Sequence, residues 1–473
     1  MKKIIAYIPL LFIVACTKNL ASLNNDPKNP TNVPAYSLFT NAQRSFARTV
    51  SSANITLNIF RLITQQWQEA FVQGSRYDLK YLNIPQNLWT AFYREALGNF
   101  DEAKKLIPSQ VTYDAAQRDN EVAITDMMEV YVWFYLVTTY GNIPYTESLD
   151  INNVFPAYDD AATIYNDLLT RLDADIAALN TSAPGFGSAD IIYGDDITEW
   201  RKFGNSLKLK MGMIIADDDP AKAKSTVETA AASGIFTSNA DNAQFKFLAS
   251  PPNTNPVWEA LVQSGRKDFV AASTIVDLME SLNDPRIDNY FTVDAAGSYS
   301  GGLPGRMNNY STFSKPDTAI TASDFPGLLL DYSEVEFLLA EAIERKFNVA
   351  GTASAHYDKA ITASILYWGG TAADAATYLA QPSINYVTAP GNYKQNIGIQ
   401  KWIALYNRGL DAWIEWRRFD YPQLQPAFRA VSDIPVRFTY PVNEQNYNTE
   451  NYNAAASAIG SDEVTTRLWW DKF

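Results

Sequence analysis

Apolar residues recur along this chain at helical spacing. From Ala161 they fall at Tyr165, Leu168, Leu172, Ile176 and Leu179, which lie on one face of a helix. The spacing returns at Trp200, Phe203, Leu207, Met211 and Ile214, after the turn residues Gly194, Asp195 and Asp196. Ser333 and Glu336 stand at capping-box spacing before Val335, Leu338, Leu339, Ala342 and Ile343, which predicts a helix over 333–346. Residues 120–140 become apolar almost all round and stop at Gly141; a helix of that kind belongs at the centre of a fold. No comparable series of alternating strand patterns occurs, so the expected fold class is mainly α.

The helices come in pairs. After Gly351, Ala353, Tyr357 and Ala360 start a second helix that runs to Tyr367, with the small–aromatic–small spacing of a tetratricopeptide repeat. Between the helices lie long irregular stretches at 180–195, 237–258, 294–327 and 369–400. Loops of that length inside a compact domain are usually functional or disordered; with Tyr299, Tyr310, Phe313, Tyr386 and Tyr393 among Gly, Asn, Ser and Pro, these are expected to be ordered and to form a ligand face. No Gly/Ser-rich or charged linker divides the chain, so one domain is expected over 16–473.

The first residues point to a compartment. Lys2 and Lys3 precede the apolar run 4–15, which is interrupted by Pro9 and too short to span a bilayer. It has the form of a signal peptide over 1–15. Leu11-Phe12-Ile13-Val14-Ala15-Cys16 resembles a bacterial lipobox, with Cys16 as the lipidated residue. Cys16 is the only cysteine, so no disulfide forms within one molecule. The formal charge of −14 disfavours nucleic acid, whose binding depends on Lys and Arg at phosphates. The 27 Tyr and 11 Trp supply rings for a core and, in surplus, for a sugar- or peptide-gripping surface.

An ordered set of short motifs carries a family resemblance. It begins with Leu23-Asn24-Asn25-Asp26-Pro27-Lys28-Asn29-Pro30-Thr31 and Thr139-Tyr140-Gly141-Asn142-Ile143-Pro144-Tyr145 with Glu147. Asn283-Asp284-Pro285-Arg286, Gln400-Lys401-Trp402-Ile403-Ala404-Leu405 and Trp413-x2-Trp416-Arg417-Arg418 follow. Tyr440-Pro441-x2-Glu444-Gln445-Asn446-Tyr447-Asn448 and Trp469-Trp470-Asp471-Lys472 complete it. Together these resemble the SusD/RagB-like nutrient-binding lipoproteins, in particular those ending in Trp-Trp-Asp-Lys. The resemblance implies a tetratricopeptide-like scaffold at the outer membrane. It also implies a lid over a TonB-dependent transporter, an oligosaccharide or peptide ligand, no enzymatic activity and no cofactor. It transfers no ligand-binding residues, because the family has no universal ligand motif.

Candidate chemistry is sparse. Trp413, Trp416 and Arg417 share one helix face, where core packing is favoured over ligand contact, and Trp469 and Trp470 are expected to seal the chain end onto the body. His356, the only histidine, is expected at the surface or half-buried near the start of a helix; with no second histidine and no free thiol it makes no typical zinc site. Asp217-Asp218-Asp219 lacks the spacing of a calcium loop and is expected to break one helix and cap the next. No motif singles out a carboxylate pair, so a cell-surface glycan hydrolase stays as an alternative. A scaffolding lipoprotein without a small ligand is the other. The candidate ligand-binding residues are Tyr77, Tyr81 and Trp89 in one turn-rich segment, and Tyr299, Arg306 and Tyr310 in the glycine-rich loop 297–310. They are expected to make a shallow, partly open aromatic site. Metabolic labelling with a fatty acid is expected to mark the wild-type protein and not Cys16→Ala; equal labelling of both would remove the lipid anchor.

Overall fold

Asp114 opens the longest helix by accepting a hydrogen bond from the Ala116 N–H, and Gly141, at φ +88°, closes it. From Asn120 onward that helix is buried almost all round except at Val122, as its apolar sequence requires. The computed structural model describes residues 33–110 and 113–472. The signal segment, Cys16 and the motif at 23–31 lie outside them. Among the described residues no helix is long and apolar enough to cross a membrane.

In chain order the principal helices are α1 (Ala35–Ser51), α2 (Ile84–Thr90), α3 (Gly98–Leu106), α4 (Ala115–Tyr140), α5 (Ala161–Ala178), α6 (Ile197–Ile214) and α7 (Pro220–Ala232). They continue as α8 (Ser273–Ser281), α9 (Tyr332–Glu344), α10 (Ala353–Tyr367), α11 (Ala372–Leu379), α12 (Tyr393–Ala404), α13 (Gly409–Phe419) and α14 (Thr449–Ala458). A π-helical turn, Ala91–Leu97, joins α2 to α3. Four short strands, β1 (Trp67–Glu69), β2 (Ala243–Phe245), β3 (Phe269–Ala271) and β4 (Gly327–Leu330), pair antiparallel as β1 with β3 and β2 with β4.

The repeats are the pairs α4–α5, α6–α7, α9–α10 and α12–α13, stacked through α5 on α6, α6 on α9 and α9 on α12. The fold is therefore mainly helical and tetratricopeptide-like, within one compact unit of Ala35–Phe473. Caps start these helices where the sequence offers short polar side chains: Asp160, Asp196, Asp331, Thr352 and Asn392 each accept a backbone N–H of the first turn. Asp219 does the same for α7, with Pro220 at its first position, so the aspartate triplet breaks and caps as its sequence suggests.

Three expectations need correction. Ser333 and Glu336 do not form a capping box. β4 runs to Leu330, Asp331 caps α9, and Ser333 lies inside the helix, where its hydroxyl donates to the Ala360 carbonyl at 2.8 Å. The stretch 369–400 holds α11 and most of α12; α11 is an alanine-rich helix of eight residues, too short to show a periodic face. His356 is buried, with Nδ1 2.5 Å from Glu336 Oε2 and Nε2 2.8 Å from the Ala350 carbonyl. The four strands leave no mark in the sequence, because three or four residues cannot establish an alternation.

The family-like motifs act as ties between repeats. Asp284 holds buried Arg286 at 2.5 and 2.8 Å, and Arg286 reaches Ser364 on α10 and Gln400 on α12. The Arg417 guanidinium lies between Trp413 and Trp470, 3.6 and 4.5 Å from their ring centroids, and donates to the Thr138 carbonyl at the end of α4. Trp413 and Trp470 are thus core residues, while Trp416 and Trp469 are half-buried against the core.

The helix stack also carries buried charge. Lys210 of α6 is fully buried and pairs with Asp411 of α13 and, at 3.0 Å, with Glu334 of α9. Arg408 reaches the same two carboxylates at 2.8 and 2.9 Å, and the Tyr135 hydroxyl of α4 donates to Asp411. A second set joins Arg418 to Glu341 at 2.6 Å and Glu415 at 2.8 Å, with Arg345 on Glu341 and Lys401 on Glu415. Burial pushes Glu334 upward, yet Lys210 and Arg408 outweigh it and hold its carboxyl at about 2. A carboxylate held low stabilises the fold fully above its unfolded value and loses that contribution as pH falls towards 2. Lys210→Met strands two buried carboxylates with Arg408 as their main counter-charge. It is expected to lower stability at neutral pH by about 3–5 kcal/mol, measured by denaturant unfolding, with the deficit narrowing in acid as the carboxylates protonate.

Candidate functional site

β1 is the foundation of the loop-rich face. It pairs with β3 in the register Trp67↔Ala271, Gln68↔Val270 and Glu69↔Phe269. Its approach is fastened to the last repeats. Trp67 Nε1 donates to the Tyr406 hydroxyl at 3.0 Å, Gln66 Nε2 to the Trp402 carbonyl at 3.0 Å, and Trp402 Nε1 to the Thr64 carbonyl at 3.2 Å. Arg61 grips Asn407 Oδ1 at 2.8 Å. The loops leaving β1 and β3 therefore start from a rigid base.

A polar knot holds those loops in shape. Buried Asn308 donates to the carbonyls of Glu69, Leu303 and Arg306 at 3.1, 3.3 and 2.9 Å, and accepts the Leu303 N–H at 3.0 Å. Arg76 Nε donates to the Gly305 carbonyl at 2.9 Å, while the Arg76 carbonyl receives the Val431 N–H at 2.9 Å. The Phe428 N–H donates to the Pro304 carbonyl at 2.9 Å. Glycine is required at two points here. A Cβ on Gly301 would lie 2.2 Å from the Ser273 nitrogen. One on Gly305, at φ +76°, would lie 2.4 Å from the Phe428 carbonyl. Segments 70–83, 299–316 and 424–432 are thereby sewn into one surface.

That surface displays apolar side chains. Phe71, Tyr81, Leu303, Met307, Phe428 and Val431 are all exposed, Tyr81 by 75% and Met307 by 77%. Arg306 lies over the Phe428 ring with its guanidinium 4.2 Å from the centroid. A hollow of about 320 Å³ lies beneath Phe71 and Tyr81, lined also by Glu69, Gln73, Arg266 and Asp268. Burial pushes the Glu69 carboxyl up, against the Ser75 and Gly74 N–H groups that favour its charge. The hollow offers rings, two acids, a guanidinium and an amide at one opening, a set that suits a polar ligand with an apolar face.

The sequence candidates divide. Tyr81 and Arg306 stand exposed on this surface. Tyr310 is half-buried with Lys315 Nζ 5.3 Å from its ring centroid. Tyr299 is half-buried and its hydroxyl donates to Asp288 at 2.7 Å, which pins the loop. Tyr77 and Trp89 are corrections, at 2% and 7% exposure. Tyr77 adopts φ +63° after a 3-10 turn, and its hydroxyl accepts from Gln65 Nε2 at 3.3 Å inside the fold. Trp89 lies on the inner face of α2 with Leu88, Ile84 and Pro85, packed on Tyr93, Tyr140 and Tyr158. Phe71, Leu303, Met307, Phe428 and Val431 were missed. For Leu303 and Met307 the signal is an apolar residue isolated among Gly, Pro and Asn, as in Gly305-Arg306-Met307-Asn308; Phe71, Phe428 and Val431 stand among other apolar residues and carry no local signal.

Comparison with known proteins agrees with this architecture. The family model described as SusD-like, starch-binding and associating with outer membrane matches residues 27–441. A SusD homolog from Bacteroides uniformis is 27% identical with a TM-score of 0.78, over 92% of this chain and 99% of that one. A chitin-binding protein is 26% identical with a TM-score of 0.80, over 93% and 100%. A chitin-binding SusD homolog from Flavobacterium johnsoniae, 24% identical with a TM-score of 0.78 over 93% and 98%, shares the fold. No curated protein matches the chain. A match that spans most of the sequence, joined to the same helical architecture, means that this chain belongs to the SusD-like family.

Proposed function

We propose that this protein is an outer-membrane lipoprotein that captures a nutrient glycan on its loop face and delivers it to a TonB-dependent transporter. The observation that carries the reading is the knotted surface that keeps Phe71, Tyr81, Met307 and Phe428 out of the core. Exposed rings held by a rigid base stack on the apolar face of a sugar with little entropy to lose. The family's association with the outer membrane and the chitin-binding relatives support the compartment and the ligand class. Cys16 supplies the anchor in this reading. The site is open and its hollow is small, which suits a lid that retains a ligand between itself and a partner. The protein binds and does not hydrolyse.

A peptide ligand is the second reading. Leu303, Met307 and Val431 are exposed aliphatic side chains beside the rings, and they fit peptide side chains better than hydroxyls.

Titration of the soluble chain with chito-, malto- and peptide oligomers separates the two readings. Phe71→Ala and Tyr81→Ala are each expected to weaken the productive class about tenfold, ~1.4 kcal/mol, with unchanged thermal stability. Unaltered affinity in both variants would move the site elsewhere. Purification of the anchored protein in mild detergent is expected to recover a large outer-membrane barrel, and recovery of the lipoprotein alone would contradict delivery to a transporter.

A further inference from the structure

The loop face runs against the charge of the rest of the chain. The protein has 38 Lys and Arg against 52 Asp and Glu, yet segments 70–83, 299–316 and 424–432 carry Arg76, Lys80, Arg306, Lys315 and Arg429 against a single acid, Asp78. Arginines elsewhere commonly meet carboxylates: Arg171 meets Asp126 and Glu129, Arg345 meets Asp217, and Arg418 meets Glu341. None of the five loop-face cations forms an ion pair with a described acid. Asp78 is engaged locally, where its Oδ1 accepts the Tyr81 N–H at 3.3 Å.

Three of these cations converge on one ring. Arg306 and Arg429 are both exposed, and their guanidinium groups lie over Phe428 at 4.2 and 5.3 Å from its centroid. Arg76 reaches the same place, because its Nε donates to the carbonyl of Gly305, the neighbour of Arg306, and its own carbonyl holds the Val431 N–H. Arg429 stands at φ +55°, a left-handed conformation that strains an arginine, and the Ala430 and Val431 N–H groups beyond it are both bonded. The ring face offsets part of the repulsion between two cations, but no acid neutralises it. Like charges fixed together in an otherwise acidic body attract an anion to that spot and repel it from the rest of the surface.

We propose that the loop face selects an acidic oligosaccharide, whose carboxylate or sulfate ester is received by the guanidinium groups of Arg306 and Arg429 beside Phe428. A guanidinium presents paired N–H donors in one plane, which match two oxygens of either anion. Arg76 adds charge behind them, and exposed Phe71 and Tyr81 on the same surface take the apolar face of a neighbouring sugar unit. The saccharide part of this inference rests on the glycan-capture reading above; the excess of unpaired cations does not.

Calorimetry on the full-length protein tests it with trigalacturonate, its fully methyl-esterified form, a sulfated carrageenan tetrasaccharide, N-acetylchitotriose and triglutamate. At least one of the two anionic sugars is expected to bind, and the tighter of them assigns the anionic group as carboxylate or sulfate. Arg306→Gln and Arg429→Gln are each expected to weaken it roughly tenfold at unchanged thermal stability, and raised sodium chloride weakens it further. If the group is a carboxylate, methyl esterification has the same effect as the arginine variants. Failure of both anionic sugars to bind, equal affinity in the wild type and both arginine variants, or tighter binding of triglutamate would overturn the inference. Should N-acetylchitotriose then still bind through Phe71 and Tyr81, glycan capture stands and only its acidic character falls. An anionic sugar that depends on Arg306 and Arg429 but not on Phe71 or Tyr81 would keep the acidic site and overturn the ring-based reading. Arginine variants that keep their sugar affinity yet no longer co-purify with a barrel would make the cluster a docking surface, which also overturns the inference.

Discussion

Buried charge neutralisation is the constraint on which the helix stack depends. Lys210, Arg408 and Arg418 bring α6, the turn before α13 and α13 onto the carboxylates of α9, and Tyr135 brings in α4. Apolar packing alone tolerates sliding of one helix along another, because methyl groups have no fixed partner. Ion pairs sealed from water do not, since a shift of one turn leaves charges unpaired in a medium that cannot solvate them. The repeats are thus held in one register as well as packed together. That rigidity is what lets a face made of loops keep a defined shape.

The loop face applies the same logic with neutral groups. Asn308 gathers three carbonyls and one N–H, and Gly301 and Gly305 allow backbones to approach where any side chain would collide. With their polar backbone satisfied, the loops can turn apolar side chains outward without collapsing onto the core. Exposure of Phe71, Tyr81 and Met307 is therefore a built property of the surface.

Legibility in the sequence followed physical range. α5, α6, α9 and α10 were readable because their apolar faces repeat every three to four residues, and α4 because it is apolar all round. α11 and the strands were too short to repeat anything. The candidate aromatics split for a different reason. Tyr77 and Tyr81 share a segment of similar composition, yet a left-handed turn at Tyr77 sends its ring inward, and no local pattern announces that. Trp89 was misplaced because its helix is short and its partners, Tyr140 and Tyr158, arrive from distant parts of the chain. Surface rings are decided by tertiary contacts, and a one-dimensional reading sees only their neighbours.

The fastening of β1 to Trp402, Tyr406 and Asn407 joins residues more than three hundred positions apart. Contacts of such separation close a long loop, at an entropic cost that the rest of the packing must offset. The floor of the loop face is therefore complete only when the final repeats are docked onto the early segment. A destabilising change in α12 or α13 reaches the loop face through this clasp, so binding and the closing of the fold rise and fall together.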